Sequence, residues 1–199
     1  MNQLILSNKE IASKFSDCNT LSDVIKKVEK NGWDNGNVIC GITLNGIKLT
    51  EEDENKFQAS SVQEIDQIEF QLNNISSVVE STISSILEWF PSGIEGTLMT
   101  AELLRSGDEL KAFEVFTQVV ESCCWVSDSL NLLKSMCAEK IKAQSMTQTW
   151  DQSEIVLKQN IEALITSITT KDYQLTADLL EYELTKSLED WSHILKQLI

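Results

Sequence analysis

The sequence predicts an α+β protein, in which a small module of strands and helices precedes an antiparallel bundle of four or five helices. Residues 1–74 and 75–199 follow different hydrophobic periodicities, since short alternating segments dominate the first part and helical spacing dominates the second. Proline and glycine are absent after Gly107, which favours long helices there. We therefore expect two domains that meet at Asn73-Asn74.

Turn and cap signals divide the first part into elements. Thr20 with Asp23 forms a capping box that begins a helix, and Asn45-Gly46 is a strong signal for a tight hairpin. The predicted elements, in order, are a hairpin of strands 3–6 and 10–15, a helix from 20 to 32, a hairpin of strands 38–44 and 47–49, a helical turn at 51–54 and a last strand at 68–72.

This order of elements resembles the ubiquitin-like β-grasp. Residues 64–70, Glu-Ile-Asp-Gln-Ile-Glu-Phe, look like the acidic turn that enters the final central strand of that fold. Carrier members of the β-grasp family end in a free diglycine that is activated for transfer. Here Asn73-Asn74 run on into a helix, so the resemblance implies a β-grasp-like module without conjugation or sulfur-carrier chemistry.

Apolar stripes at helical spacing define the second part. The turns at 106–108 and 170–172 both end in an aspartate that can cap a helix, which predicts a duplicated helical hairpin and hence a four-helix bundle. The third helix is expected to bury Leu110, Phe113, Phe116, Val120, Cys123, Ser127 and Leu130. The predicted elements are a helix from 75 that stops at Pro91, a short helix at 97–104, a helix from the Ser106/Glu109 capping box to Cys137, a loop at 141–148, a helix through 157–168, and a last helix after Asp172 with near-heptad apolar spacing.

Composition narrows the classes of partner. The chain of 199 residues has 31 acidic and 16 basic side chains and a net charge of −15, and Arg105 is its only arginine. Without a basic patch such a surface repels nucleic acid and anionic membranes, and no apolar run is long enough to span a bilayer. Five cysteines, an odd number, and an N-terminal region without the apolar stretch of a secretory leader indicate the cytoplasm. We expect another protein, basic or amphipathic-helical, as the partner.

No catalytic, cofactor or metal motif is present. His193 is the only histidine, and no Cys-x-x-Cys pair occurs. Asp178 and Glu181 lie three residues apart on one helical face, where paired carboxylates form either a solvated stripe or, with a third ligand, a cation site. The sequence therefore predicts no catalytic, cofactor-binding or metal-binding residues, and the carboxylate pair stays an alternative.

Aromatic residues beside charge are the candidates for partner binding, because tyrosine and tryptophan dominate binding hot spots. Tyr182 lies within the acidic cluster of Asp178 and Glu181. Trp125 falls outside the main apolar stripe of its helix, so it either widens the core or is exposed. Trp191 completes the set on the last helix.

Small size, low pI and helical character, with the turn-then-helix pattern Ser-Gly-Asp-Glu-Leu-Lys-Ala at 106–112, are similar to bacterial flagellar and type III secretion chaperones. The resemblance implies a non-enzymatic adaptor or chaperone that binds a partner's amphipathic helix through the bundle. Two alternatives stay open. One is a carboxylate-based metal-binding protein or enzyme that uses Asp178 and Glu181, and the other is a structural subunit or a homodimer joined through the heptad face of the last helix.

Overall fold

The computed structural model describes residues 2–199, which form two compact units. The first ends at Val78 and the second begins at Val79. We call them the N-terminal unit and the helical unit. An antiparallel four-stranded sheet lies in the first and a helical bundle forms the second, which confirms the predicted α+β class.

The sheet of the N-terminal unit has the strand order β1-β4-β2-β3, and every neighbouring pair is antiparallel. Leu6 of the first strand and Ile68 and Phe70 of the last are fully buried on one face, because alternate residues of a strand point to the same side. The strands are β1 (Asn2–Ser7), β2 (Asn37–Leu44), β3 (Ile47–Lys48) and β4 (Gln67–Asn74).

Helices pack on the buried face of the sheet through Ile11, Val24 and Val28. The capping box of Thr20 and Asp23 is confirmed, and so is the Asn45-Gly46 hairpin, in which both residues have positive φ (49° and 83°). The helices are α1 (Asn8–Lys14), α2 (Leu21–Asp34) and α3 (Glu51–Phe57), with a 3₁₀ turn at Val62–Glu64.

Two predictions for this unit are wrong. Residues 10–15 were expected as the second strand of a hairpin, but 10–14 belong to α1 and Phe15 is its C-cap, because Ser7 and Glu10 form a capping box that begins a helix directly after β1. The helix α2 does not stop at Asn31-Gly32. It continues to Asp34, and Gly36, with a φ of +70°, provides the left-handed residue that follows a helix end.

The helical unit is built around one apolar core to which every helix contributes. The last helix is continuous but contains a π-helical stretch, Leu179–Leu184, which we call the π-turn. Its apolar seam, including Leu188 and Leu195, is fully buried in the unit's own core. The elements are α4 (Ile75–Ser106), α5 (Glu109–Met136), α6 (Ala138–Ala143), α7 (Thr147–Thr169), α8 (Tyr173–Asp178), the π-turn and α9 (Thr185–Lys196).

Pro91 does not end the first long helix, contrary to the prediction, and no separate helix begins at 97. Proline removes one backbone donor, but Phe90 and Gly93 on either side of it are buried on the same stripe that continues to Leu104. Burial of that stripe keeps α4 helical through the proline.

The expected loop at 141–148 is also wrong, and the expected buried face of α5 is confirmed only at Phe116, Cys123 and Leu130. The polar segment contains the end of α6, anchored by buried Ile141, and the start of α7. In α5, Leu110 is 74% exposed and Val119 is buried in place of Val120. Val119 packs against Gly96 of α4, where a Cβ would lie only 3.1 Å from Val119 Cγ2.

No helix among residues 2–199 combines the length and the apolar character that a bilayer crossing requires.

Candidate interaction surface

The helical unit consists of two hairpins that repeat one another. In each turn a residue of positive φ (82° at Gly107, 59° at Lys171) is followed by a capping aspartate. In the first turn the amide of Asp108 donates to the Leu103 carbonyl at 3.0 Å. In the second turn the amide of Asp172 donates to the Ser167 carbonyl at 2.9 Å, and both of these residues lie 64 positions after their counterparts in the first turn. The duplicated hairpin predicted from these two turns is therefore present in the structure.

The buried positions of the second helices match in the same way, apart from one inserted residue. Both helices start with a spacing of four residues, from Ala112 to Phe116 and from Thr176 to Leu180. The next buried residue follows after three positions in α5, from Phe116 to Val119. In the second hairpin it follows after four positions, from Leu180 to Leu184, because the helix passes through the π-turn there. Beyond it the same alternating steps of four and three residues recur, at Val119, Cys123, Val126, Leu130 and Leu133 in the first hairpin and at Leu184, Leu188, Trp191, Leu195 and Leu198 in the second, where Ser187 and Ile194 are buried as well.

The π-turn accommodates the extra residue, and two side chains support it. A π-turn widens the helix locally and leaves a carbonyl without its usual donor. Asn160, on the facing helix α7 and 9% exposed, donates its Nδ2 to the Glu183 carbonyl at 3.1 Å. Thr185 Oγ1 donates to the Leu180 carbonyl at 3.1 Å. The insertion is thus held by specific partners.

An ion-pair cluster connects this segment to the end of α4. Arg105 Nη2 lies 2.8 Å from Asp178 Oδ1, and Nη1 donates to Glu181 Oε2. Gln174 donates to the same Asp178 oxygen at 3.0 Å. The hydrogen bonds from Arg105 and Gln174 lower the pKa of Asp178, and the two carboxylates raise the pKa of Arg105. The only arginine of the chain therefore fixes both carboxylates that the sequence singled out.

Two apolar side chains stand beside this cluster. Tyr182 is 63% exposed and Leu175, seven positions earlier on the same helix, is 46% exposed. Asp178 lies between them in sequence and Glu181 directly precedes Tyr182. We call the set of Arg105, Leu175, Asp178, Glu181 and Tyr182 the Tyr182 surface. It joins apolar anchors to charged groups that are already ordered.

The other two candidate residues lie elsewhere. Trp125 is 43% exposed on the outer side of α5, so it does not widen the core. A separate groove between α5 and α7 is lined by Asp128, Lys158 and Glu162, and Trp125 does not line it. Trp191 is fully buried and packs edge to face on Trp150 at 4.9 Å between ring centroids, so a partner could not touch it.

Cys123 and His193, which carry reactive side chains, differ in exposure. Burial raises the pKa of Cys123 to about 12, so the thiol stays protonated at neutral pH. His193 is exposed near the end of α9. Within residues 2–199 no cluster of three His, Cys, Asp or Glu side chains has the geometry of a metal site.

Sequence reasoning missed two residues of this region. Arg105 was recognised only for its rarity, and its two carboxylate partners are more than 70 residues away in the chain, which no local pattern reveals. Asn160 did leave a signal, since it is a polar residue on the apolar stripe between Leu157 and Leu164. A buried amide at such a position requires a hydrogen-bond partner.

Comparison with known proteins supplies a family for the helical part. A family model described as a domain of unknown function, DUF8042, matches residues 81–194, which is more than half of the chain. A second model, described as the TP0873 N-terminal domain, matches residues 3–74. No curated protein and no solved structure gave a match. The chain therefore belongs to the DUF8042 family.

Proposed function

We propose that the helical unit is a non-enzymatic interaction module, an adaptor or chaperone, that binds a basic amphipathic helix of a partner protein on the Tyr182 surface. The observation that carries the proposal is the exposure of Tyr182 and Leu175 beside carboxylates that Arg105 holds in place. Tyrosine and arginine are enriched among residues that dominate binding. Apolar side chains beside charge suit an amphipathic helix, whose apolar face can lie on Tyr182 and Leu175 while its polar face meets the charged groups.

Charge favours a basic ligand. Residues 75–199 carry 19 acidic and 9 basic side chains, a net charge of −10, so their field attracts cations and speeds encounter with them. At the Tyr182 surface itself, the single positive charge of Arg105 faces the two carboxylates of Asp178 and Glu181, so one net negative charge remains there. Because these side chains are ordered before binding, less conformational entropy is lost when a partner docks.

The likeness to flagellar and type III secretion chaperones belongs to this proposal, as does the β-grasp-like character of the N-terminal unit. The free cysteines are compatible with a reducing compartment, and we infer that the protein acts in the cytoplasm.

The test is calorimetric titration of the whole chain with a defined peptide of about 18 residues, built from Leu and Lys with the leucines on one helical face. Tyr182→Ala should weaken binding about 30-fold, since loss of a hot-spot side chain removes about 2 kcal/mol. Ile155→Ala, at a residue 51% exposed on α7, is the matched control and should bind as the parent does. Trp125→Ala reports on the other exposed aromatic candidate, on α5.

Three results would count against the proposal: no binding by the parent, equal binding by Tyr182→Ala and Ile155→Ala, or loss of binding in Trp125→Ala alone. A peptide with Glu in place of Lys should not bind, and its binding would remove the argument from charge.

No second function is proposed. Arg105 occupies the carboxylates of Asp178 and Glu181, which a cation site would need free, and the seam of the last helix that a homodimer would use is buried in the unit's own core.

A further inference from the structure

The first strand of the N-terminal unit forms an open edge of the sheet. Among the described strands, β1 is hydrogen-bonded on one side only, to β4. Proteins usually protect such edges with lysine, proline, a bulge or a very short strand. The opposite edge, β3, has two residues, whereas β1 has six, Asn-Gln-Leu-Ile-Leu-Ser, with no charge and no proline. The edge at β1 therefore lacks the usual devices against strand addition.

The hydrogen-bond phase shows which backbone groups are open. The amide of Asn8, just after β1, donates to the Asp66 carbonyl at 2.9 Å, which identifies this pair as a hydrogen-bonded one. Pairs of this type recur at every second residue, so Leu4 and Leu6 also bond with β4. Gln3, Ile5 and Ser7 must then direct their amides and carbonyls away from it.

The amide of Ser7 confirms this phase, since it is bound by the Glu10 carboxylate at 2.9 Å outside the ladder. Glu10 thereby closes the open segment at its C-terminal end. Gln3 and Ile5 are left with two amides and two carbonyls on the outer side, a set that the backbone of an added strand complements.

The side chains beside this edge favour an apolar, uncharged ligand face. Leu4 is partly buried on the inner face of the sheet, and Ile5 is 47% exposed on the outer face. A groove next to Leu4, between the sheet and α2, is lined by Phe15, Val28 and Leu72, with Asn31 and Asn35 at its polar end. No charged side chain lines it.

We propose that β1 accepts an extended segment of a partner protein as an added strand, hydrogen-bonded to Gln3 and Ile5. The ligand has apolar side chains at alternate positions, which lie against Leu4 and the groove, and it carries no acidic residues. A second copy of this chain fits less well. Each copy has a charge of −15, and a strand of six residues buries far less than the roughly 1,600 Å² of a standard interface.

The test uses nitrogen-15 labelled full chain and a blocked peptide of about eight residues that alternates Val and Thr, with Lys at both ends. Before addition, the amides of Gln3 and Ile5 should exchange with solvent faster than those of Leu4 and Leu6. At saturation, exchange at Gln3 and Ile5 should slow about tenfold or more. The same peptide with an N-methyl group on every amide, which blocks both of its edges, should give no protection.

Ile5→Pro removes an outward amide and leaves the bonds to β4 intact, so it should abolish binding while the melting temperature stays close to that of Ile5→Val, which keeps the amide. Binding by Ile5→Pro equal to that of Ile5→Val would overturn the proposal. So would unchanged exchange at Gln3 and Ile5 with saturating peptide, equal protection by the N-methylated peptide, or protection of these two amides in the free protein. The peptide arms decide the question even if Ile5→Pro does not fold.

Discussion

Deletion of Glu183 should convert the π-turn into regular α-helix while the helical unit remains folded. The step from Phe116 to Val119 in α5 spans three residues, and the corresponding step from Leu180 to Leu184 spans four. Removing one residue gives the second hairpin the spacing of the first. The apolar residues that follow then remain on the core side, as their counterparts in α5 do.

The magnitude follows from the bond that is lost. Asn160 donates to the Glu183 carbonyl at 3.1 Å and is 9% exposed. A regular helix offers no free carbonyl there, and a buried polar group left without a partner costs about 1–3 kcal/mol. We expect the free energy of unfolding to fall by about that amount, measured by urea denaturation with circular dichroism.

Deletion of Gln118 in α5 is the matched control. It rotates the rest of that helix by about 100° and takes five buried residues, from Val119 to Leu133, off the core. At about 1.5–3 kcal/mol for each large side chain, the loss reaches the whole stability of a domain, about 5–15 kcal/mol, so this variant should not fold. An unfolded Glu183 deletion, or a folded Gln118 deletion, would show that the π-turn does not hold an inserted residue.

Three further outcomes are expected. Asn160→Ala should lower the free energy of unfolding by about 1–3 kcal/mol in urea titration, because the carbonyl it serves in the π-turn loses its donor; an unchanged value would contradict the role assigned to it. Gly93→Ala would ordinarily favour a helix by about 1 kcal/mol, but its Cβ would lie 2.5 Å from the Trp89 ring, so we expect a lower melting temperature and altered tryptophan fluorescence rather than a gain. The pKa of Asp178, followed by NMR, should lie below the ordinary aspartate range and rise towards it in Arg105→Met, in which the hydrogen bond from Gln174 remains. Since the folded-state pKa is the lowered one, the stabilisation by this pair is present at neutral pH and lost as the pH falls through that pKa; a stability gap between parent and variant that widens on acidification would contradict it.

Much of the fold was predictable because local signals agreed with the tertiary structure. The capping box at Thr20 and the Asn45-Gly46 hairpin each satisfy backbone groups within a few residues, so they act wherever they occur. The same logic would have identified α1, since Ser7 and Glu10 form a capping box that alternation of apolar residues concealed. The predicted helix end at Pro91 was wrong because proline removes only one backbone hydrogen-bond donor, and the burial of Phe90 and Gly93 on either side of it outweighs that loss.

The candidate surface was predictable only in part. The sequence singled out Tyr182, Asp178 and Glu181 as neighbours on one helix, and the structure places them together. The sequence could not show that Trp125 is exposed and Trp191 is buried, because both lie on amphipathic helices and only tertiary packing decides which of the two is buried. The sequence also did not reveal the one-residue insertion in the π-turn, since it is recognised only when the buried positions of the two hairpins are compared in the structure.

Chemical-shift mapping is the most direct test of the claim that the Tyr182 surface is the docking site. The nitrogen-15 labelled chain would be titrated with the Leu/Lys peptide, and amide shifts would be compared along the sequence. The account predicts the largest changes from Leu175 through Lys186 and at Arg105. Changes centred on Trp125 and the groove between α5 and α7, or spread evenly over all helices, would contradict it.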